Sequence, residues 1–204
     1  ARRTTPLVII RHGPTQWNSN RRLQGRTDIP LSGEGRALVS RWQVPFKLHE
    51  YQWVSSPLKR ARETAELLAG TPPRIEPLLT EMNYGEWEGR RLDDLRAELG
   101  DAMAENEARG LDFRPEGGET PREVQARLKQ WLEIVGERRI AVVAVSHHGV
   151  LRALYSMATG WDMAGPPLEK FRWGAMHRFA VSEGGDVRVE CINIDLAKAV
   201  AETR

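Results

Sequence analysis

A chain of 204 residues and 23.1 kDa, 40% hydrophobic and 28% charged, has apolar material for one generous globular domain. Thirty Lys and Arg nearly balance 28 Asp and Glu, giving a net charge of +2 and a pI near 8.9, and the two signs are interleaved, which argues against a nucleic-acid partner. One cysteine, Cys191, precludes an internal disulfide and fits a reducing, cytoplasmic setting, and the four apolar residues before Arg11 are too few for a signal-peptide core or a membrane span.

The run Leu7-Val8-Ile9-Ile10 reads as a short buried strand that stops at Arg11-His12-Gly13. An arginine and a histidine at the lip of a buried strand cost desolvation energy unless an anion meets them. Gly13 lets the backbone turn sharply and approach a ligand. A merely solvated strand end is the alternative, and the tripeptide alone leaves both readings open. The polar loop from there to Pro30 is longer than ordinary connections, a length typical of functional loops. Ser32 then caps a helix reaching about Trp42, and residues 51–55 make a second strand. Ser56-Pro57 supplies a cap and a proline at the first helical position, opening a helix that stops at Gly70. Arg60 falls in its first turn, with Thr64 on the same face.

Residues 78–89 read as a loop, and 92–99 and 102–108 as short amphipathic helices closed by Gly100 and Gly110, a cap-like helical segment at about 90–115. Thr120-Pro121-Arg122-Glu123 combines a cap, a proline and a capping-box glutamate. The helix it opens puts Val124, Leu128, Trp131, Leu132 and Val135 on one face and ends at Gly136. A second apolar strand, over 140–146, also runs into histidine and glycine, as His147-His148-Gly149. A helix over 150–158 and a hairpin of 174–182 with 187–194 complete the chain. This alternation predicts a single three-layer α/β domain over 1–204, with a mostly parallel central sheet flanked by helices. Ligands of such sheets sit beyond the carboxyl ends of the strands. Arg11, His12, Arg60, His147 and His148 all belong to that rim, an assembly suited to phosphate.

Arg11-His12-Gly13 with Trp17-Asn18, Gly25, Asp28 and Leu31 resembles the opening of the phosphoglycerate mutase-like histidine phosphatases. The stretch from Ser55 through Arg60 to Ala65 is similar to that family's second arginine motif. Glu81, Tyr84-Gly85 and Trp87-Glu88-Gly89 resemble its acidic motif, and Val145-Ser146-His147 with Gly149 and Arg152 its second histidine motif. The resemblance implies a phosphoglycerate mutase-like fold and a histidine acid-type phosphatase, a phosphoric monoester hydrolase without metal or cofactor. It makes His12 the transiently phosphorylated nucleophile. Arg11, Arg60 and His147 would hold the phosphoryl oxygens, and Glu81 would be the general acid, with Glu86 and Glu88 as nearby rivals. Asn18, Gln24 and Gly25 would support the phosphate pocket, with Tyr84 bordering it or simply packed in its loop.

Two departures stand out. Pro14 occupies a place the family usually fills with Glu or Gln, and so lacks a backbone N–H and a polar side chain. His148 stands where Gly or a small polar residue is usual; it either lines the pocket or caps the following helix. The spacing to Arg152 selects His147 as the family's histidine. Glu81 and His147 are 147 − 81 = 66 residues apart, similar to the shorter phosphatase branch that includes the α-ribazole phosphatases. The expected substrate is a small-molecule phosphate ester, with mutase-type phosphoryl transfer or a non-catalytic phospho-ligand binding module as alternatives. The pocket's outer wall is expected from residues 92–115 and from Trp17, Trp87 and Trp161.

Overall fold

The structure, a computed structural model, describes residues 3–197; the first two and last seven residues of the expected domain lie outside the described residues. The strands are β1 (Thr4–Arg11), β2 (Gln52–Ser55), β3 (Arg74–Ile75), β4 (Val142–Ser146), β5 (Ala175–Ser182) and β6 (Val187–Asp195). The helices are α1 (Gln16–Ser19), α2 (Gly33–Val39), α3 (Lys59–Ala69), α4 (Leu92–Leu99), α5 (Asp101–Ala108), α6 (Pro121–Arg138) and α7 (His148–Thr159). One sheet has the order β3-β2-β4-β1-β5-β6. Its first four strands are mutually parallel, while β5 runs antiparallel to both its neighbours.

Successive residues of a strand point to opposite faces, and β1 is apolar on both because both are covered. Leu7 and Ile9 pack with Val124, Leu128 and Leu132 of α6 and Leu151 and Leu154 of α7. Val8 and Ile10 pack with Val39 of α2 and Ala61, Ala65 and Leu68 of α3. Each fully buried aliphatic side chain contributes about 1.5–3 kcal/mol. The result is the expected three-layer α/β domain. A smaller cluster of Trp87, Leu95 and Met103 holds α4 and α5 against the loop before them. Among the described residues no helix is long and apolar enough to cross a membrane.

Several helix boundaries differ from expectation, each for a visible reason. Ser56 does not cap α3, which begins at Lys59 after Leu58. Instead Asp28, from the long polar loop, accepts the Lys59 N–H at 2.7 Å. Gly136 does not end α6, which continues to Arg138 and closes on a left-handed Arg139. A Cβ at Gly136 would overlap the Ser182 carbonyl, so this glycine lets α6 lie close to the β5–β6 hairpin. The polar loop contains α1, with Thr15 and Asn18 forming its capping box. Strand β3 was not anticipated: two exposed residues at a sheet edge carry no periodicity.

Candidate active site

Arg11 of β1 lies opposite Ser146 of β4 in a parallel register, so the next residue of each strand, His12 and His147, emerges at the same carboxyl edge. The two buried rings lie with centroids 5.1 Å apart and planes tilted by 58°. His12 Nδ1 is 2.6 Å from the Gly13 carbonyl oxygen. A carbonyl only accepts, so Nδ1 carries the proton and Nε2 keeps its lone pair. His147 Nε2 is 2.8 Å from Ser56 Oγ, while its buried Nδ1 has no partner among the described residues. Burial, reinforced by the guanidiniums of Arg11 and Arg60, holds both imidazoles well below the ordinary histidine value.

Arg60 is fully buried and donates to the carbonyls of Gly25 at 2.6 Å and Thr27 at 2.7 Å. Its Nε, like that of Arg11, is buried and has no acceptor among the described residues. Burial brings Arg11 down to about 10. Among the described residues neither arginine forms an ion pair. Two desolvated guanidiniums without a bonded carboxylate make a cup that favours an anion. Thr64 Oγ1 accepts the Gly13 N–H at 2.9 Å and donates to the Arg60 carbonyl at 2.7 Å, joining the two motifs.

Glu81 is buried, and burial raises its pKa above the ordinary carboxylate value. Its oxygens accept the N–H groups of Met82 at 2.7 Å and Gly149 at 3.1 Å. A Cβ on Gly149 would overlap Glu81 Oε1, so the glycine after the paired histidines makes room for this carboxyl group. The rivals are placed elsewhere. Glu86 is exposed. Glu88 accepts from Thr27 N, Thr27 Oγ1 and Tyr84 N, clamping two loops together.

Asn18 and Gln24 both direct their amide oxygens at Thr15, and their NH₂ groups have no partner among the described residues. Gly25 has φ +54° and a Cβ there would meet Glu88, so its close approach is to that carboxylate while its carbonyl holds Arg60. Pro14 offers its carbonyl to the Ser32 N–H at 3.2 Å, at the start of α2. His148 is the first residue of α7, with buried Nδ1 unpartnered and its pKa pushed down to about 3 by burial and by Arg11 and Arg152. It lines a cavity of about 670 Å³ together with Ala104, Arg152, Met163, Lys170 and Phe171. An adjoining cavity of about 240 Å³ shares His148 and Arg152 and is bordered by Tyr84, whose phenol is driven upward by burial and Glu81. The outer wall therefore includes residues of 92–115, as expected, but also 163–171. Trp87 belongs to the small core cluster instead, and neither Trp17 nor Trp161 lines these cavities.

Sequence reasoning missed Ser56 as the partner of His147, Thr64 as the link between motifs, and Trp173. The first two lay inside quoted motifs, where their types gave a readable signal. Trp173 had none: it reaches the site from the connection before β5. Among the described residues no three His, Cys, Asp or Glu side chains converge as a metal-binding group.

Known proteins resemble this chain over most of its length. The model of the histidine phosphatase superfamily (branch 1) matches residues 7–195. Phosphoglycerate mutase-like protein 4 of Arabidopsis thaliana is 33% identical over 165 residues, covering 74% of this chain and 70% of its own. Fructose-2,6-bisphosphatase TIGAR B of Danio rerio is 31% identical over 195 residues, covering 91% and 73%. A mycobacterial glucosyl-3-phosphoglycerate phosphatase superposes with a TM-score of 0.76 at 26% identity, over 95% of this chain and 100% of that one.

Proposed function

The chain belongs to branch 1 of the histidine phosphatase superfamily, and on that premise we propose that it hydrolyses a small-molecule phosphate monoester through a phosphohistidine at His12. The observation that carries this reading is the pair of buried imidazoles, 5.1 Å apart, whose charged forms burial disfavours, beside two arginines that have no carboxylate partner among the described residues.

The proposed sequence begins with the ester phosphate between Arg11, Arg60 and His147, whose donors meet its oxygens. His12 Nε2 attacks phosphorus in line; the N–P bond forms as the P–O ester bond breaks. Glu81, whose neutral form burial favours, gives its proton to the departing alkoxide oxygen. Water then attacks the phosphohistidine while the Glu81 carboxylate takes its proton. The N–P bond breaks, phosphate leaves, and neutral His12 and protonated Glu81 are restored. The guanidiniums supply the positive charge, so the reaction is metal-independent in this reading. The two adjoining cavities receive the alcohol portion of the ester.

Relatives named as mutase-like favour a second reading, in which the phosphoryl group returns to an alcohol instead of water. A panel of phosphomonoesters, including p-nitrophenyl phosphate, α-ribazole phosphate and phosphoglycerates, assayed with and without a chelator, separates the two. Hydrolysis predicts phosphate release unaffected by chelator. Interconversion of phosphoglycerates without net release would establish the mutase, and phosphate binding without any turnover would establish a binding module.

A further inference from the structure

Trp173 joins the site from a segment 161 residues beyond His12. Its ring face lies 3.6 Å from the Arg11 guanidinium carbon, and its indole N–H donates to the His12 carbonyl at 2.7 Å. We infer that Trp173 is a positioning residue, which holds Arg11 in the anion cup with its ring face and sets the His12 backbone with its N–H.

Arg11 needs such a holder. Among the described residues its Nε is buried without an acceptor and it forms no ion pair; burial destabilises its charge most, Glu81 attracts it without a bond, and Arg60 repels it. An indole is the strongest aromatic partner for a guanidinium, and the attraction grows when the pair is desolvated. The second contact acts on the nucleophile. The His12 carbonyl and the Gly13 N–H belong to one peptide plane, fixed at its oxygen by Trp173 and at its nitrogen by Thr64 Oγ1. That plane sets where the Gly13 carbonyl lies, and the Gly13 carbonyl accepts the hydrogen bond from His12 Nδ1–H. A shift of the plane would therefore turn the Nε2 lone pair away from the phosphorus.

Trp173 is itself supported. Asn193 of β6 accepts the Arg172 N–H at 2.8 Å and donates through Nδ2 to the Lys170 carbonyl at 2.8 Å, gripping the chain just before the indole. At 37% exposed, Trp173 lies outside the central core, so replacing it tests the site more than the fold.

The inference rests on the reading that Arg11 grips a phosphoryl group, and two variants divide the indole's roles. Trp173→Phe keeps an aromatic face and loses the N–H; Trp173→Ala loses both. Inorganic phosphate binding, followed by titration calorimetry, is expected to weaken roughly tenfold in the Ala variant and less than threefold in the Phe variant. With a hydrolysed ester, kcat is expected to fall severalfold in both, because both free the His12 carbonyl. Wild-type phosphate affinity in the Ala variant, or an equal loss in both variants, would overturn the ring's role. Unchanged kcat in the Phe variant would overturn the N–H's role. If no ester is hydrolysed by the native protein yet phosphate binding still depends on Trp173, the hydrolytic reading fails and the positioning of Arg11 stands.

Discussion

An imidazole attacks well only while its second nitrogen is occupied and its charge suppressed. At His12 the Gly13 carbonyl does the first, and burial beside two guanidiniums does the second. The pH dependence follows from the signs. His12 is neutral until pH falls below a value well under 6.5, and Glu81 remains protonated until pH rises past a value above the ordinary carboxylate range. The rate of His12 phosphorylation by an ester should therefore fall at both extremes, with Glu81 responsible for the alkaline limb. Rapid-quench measurement across pH checks this; Glu81→Gln should slow the step by roughly two to four orders of magnitude and abolish the alkaline limb. An unchanged rate in that variant would place the acid elsewhere. Arg11, His12 and His147 were readable because strand ends gave them away. Selecting Glu81 over Glu86 and Glu88 depended on family register, since three carboxylates on one polar loop look alike until burial separates them.

Among the elements, the junction of α7 with the acid loop is the most demanding. Gly149 sits where a methyl group would overlap Glu81, yet it lies in the first turn of a helix, where alanine is intrinsically favoured over glycine by about 1 kcal/mol. Gly149→Ala should therefore cut kcat by roughly one to two orders of magnitude through displacement of the acid, while helix preference offsets part of any stability loss. Steady-state kinetics alongside a thermal melt tests the pair. The start of α3 teaches a related lesson. Ser56-Pro57 carries a good local cap signal, but the Ser56 hydroxyl is committed to His147 and Leu58, and Asp28 caps the helix from 31 residues away. Asp28→Ala should cost about 1 kcal/mol in denaturant unfolding. Local cap rules fail here because the helix start is part of the site, and a distant residue can take over the cap.

For the molecule as a whole, the periodicity of β1, α6 and α7 was enough to predict a three-layer architecture, because apolar faces must find one another. The neighbours of each strand were not legible, nor was the connection carrying Trp173, whose irregular backbone has no period. A collective property also follows from the histidines. His12, His147, His148 and His177 are all held neutral, the last two at about 3 and about 4. Their lowered values mean that an unfolded chain takes up protons, below about pH 6.5, that the folded one refuses. Each therefore removes stability as pH falls from 6.5 toward its folded value. Glu81 acts oppositely, removing stability as pH rises from 4.5 toward its raised value. With four groups against one, the urea midpoint should drop between pH 7 and pH 5, and His177→Gln, away from the cup, should reduce the slope.

The order of strands across the sheet bears on how a ribosome delivers this protein. Among the described residues β1 pairs with β4 and β5 alone, which begin at Val142 and Ala175. At cellular elongation rates the first strand emerges on the order of ten seconds before β4 is translated. For that interval both of its hydrogen-bonding edges lack the strands they pair with, so nascent chains stalled before residue 142 should recruit a chaperone such as a holdase, and those stalled well past 182 should release it.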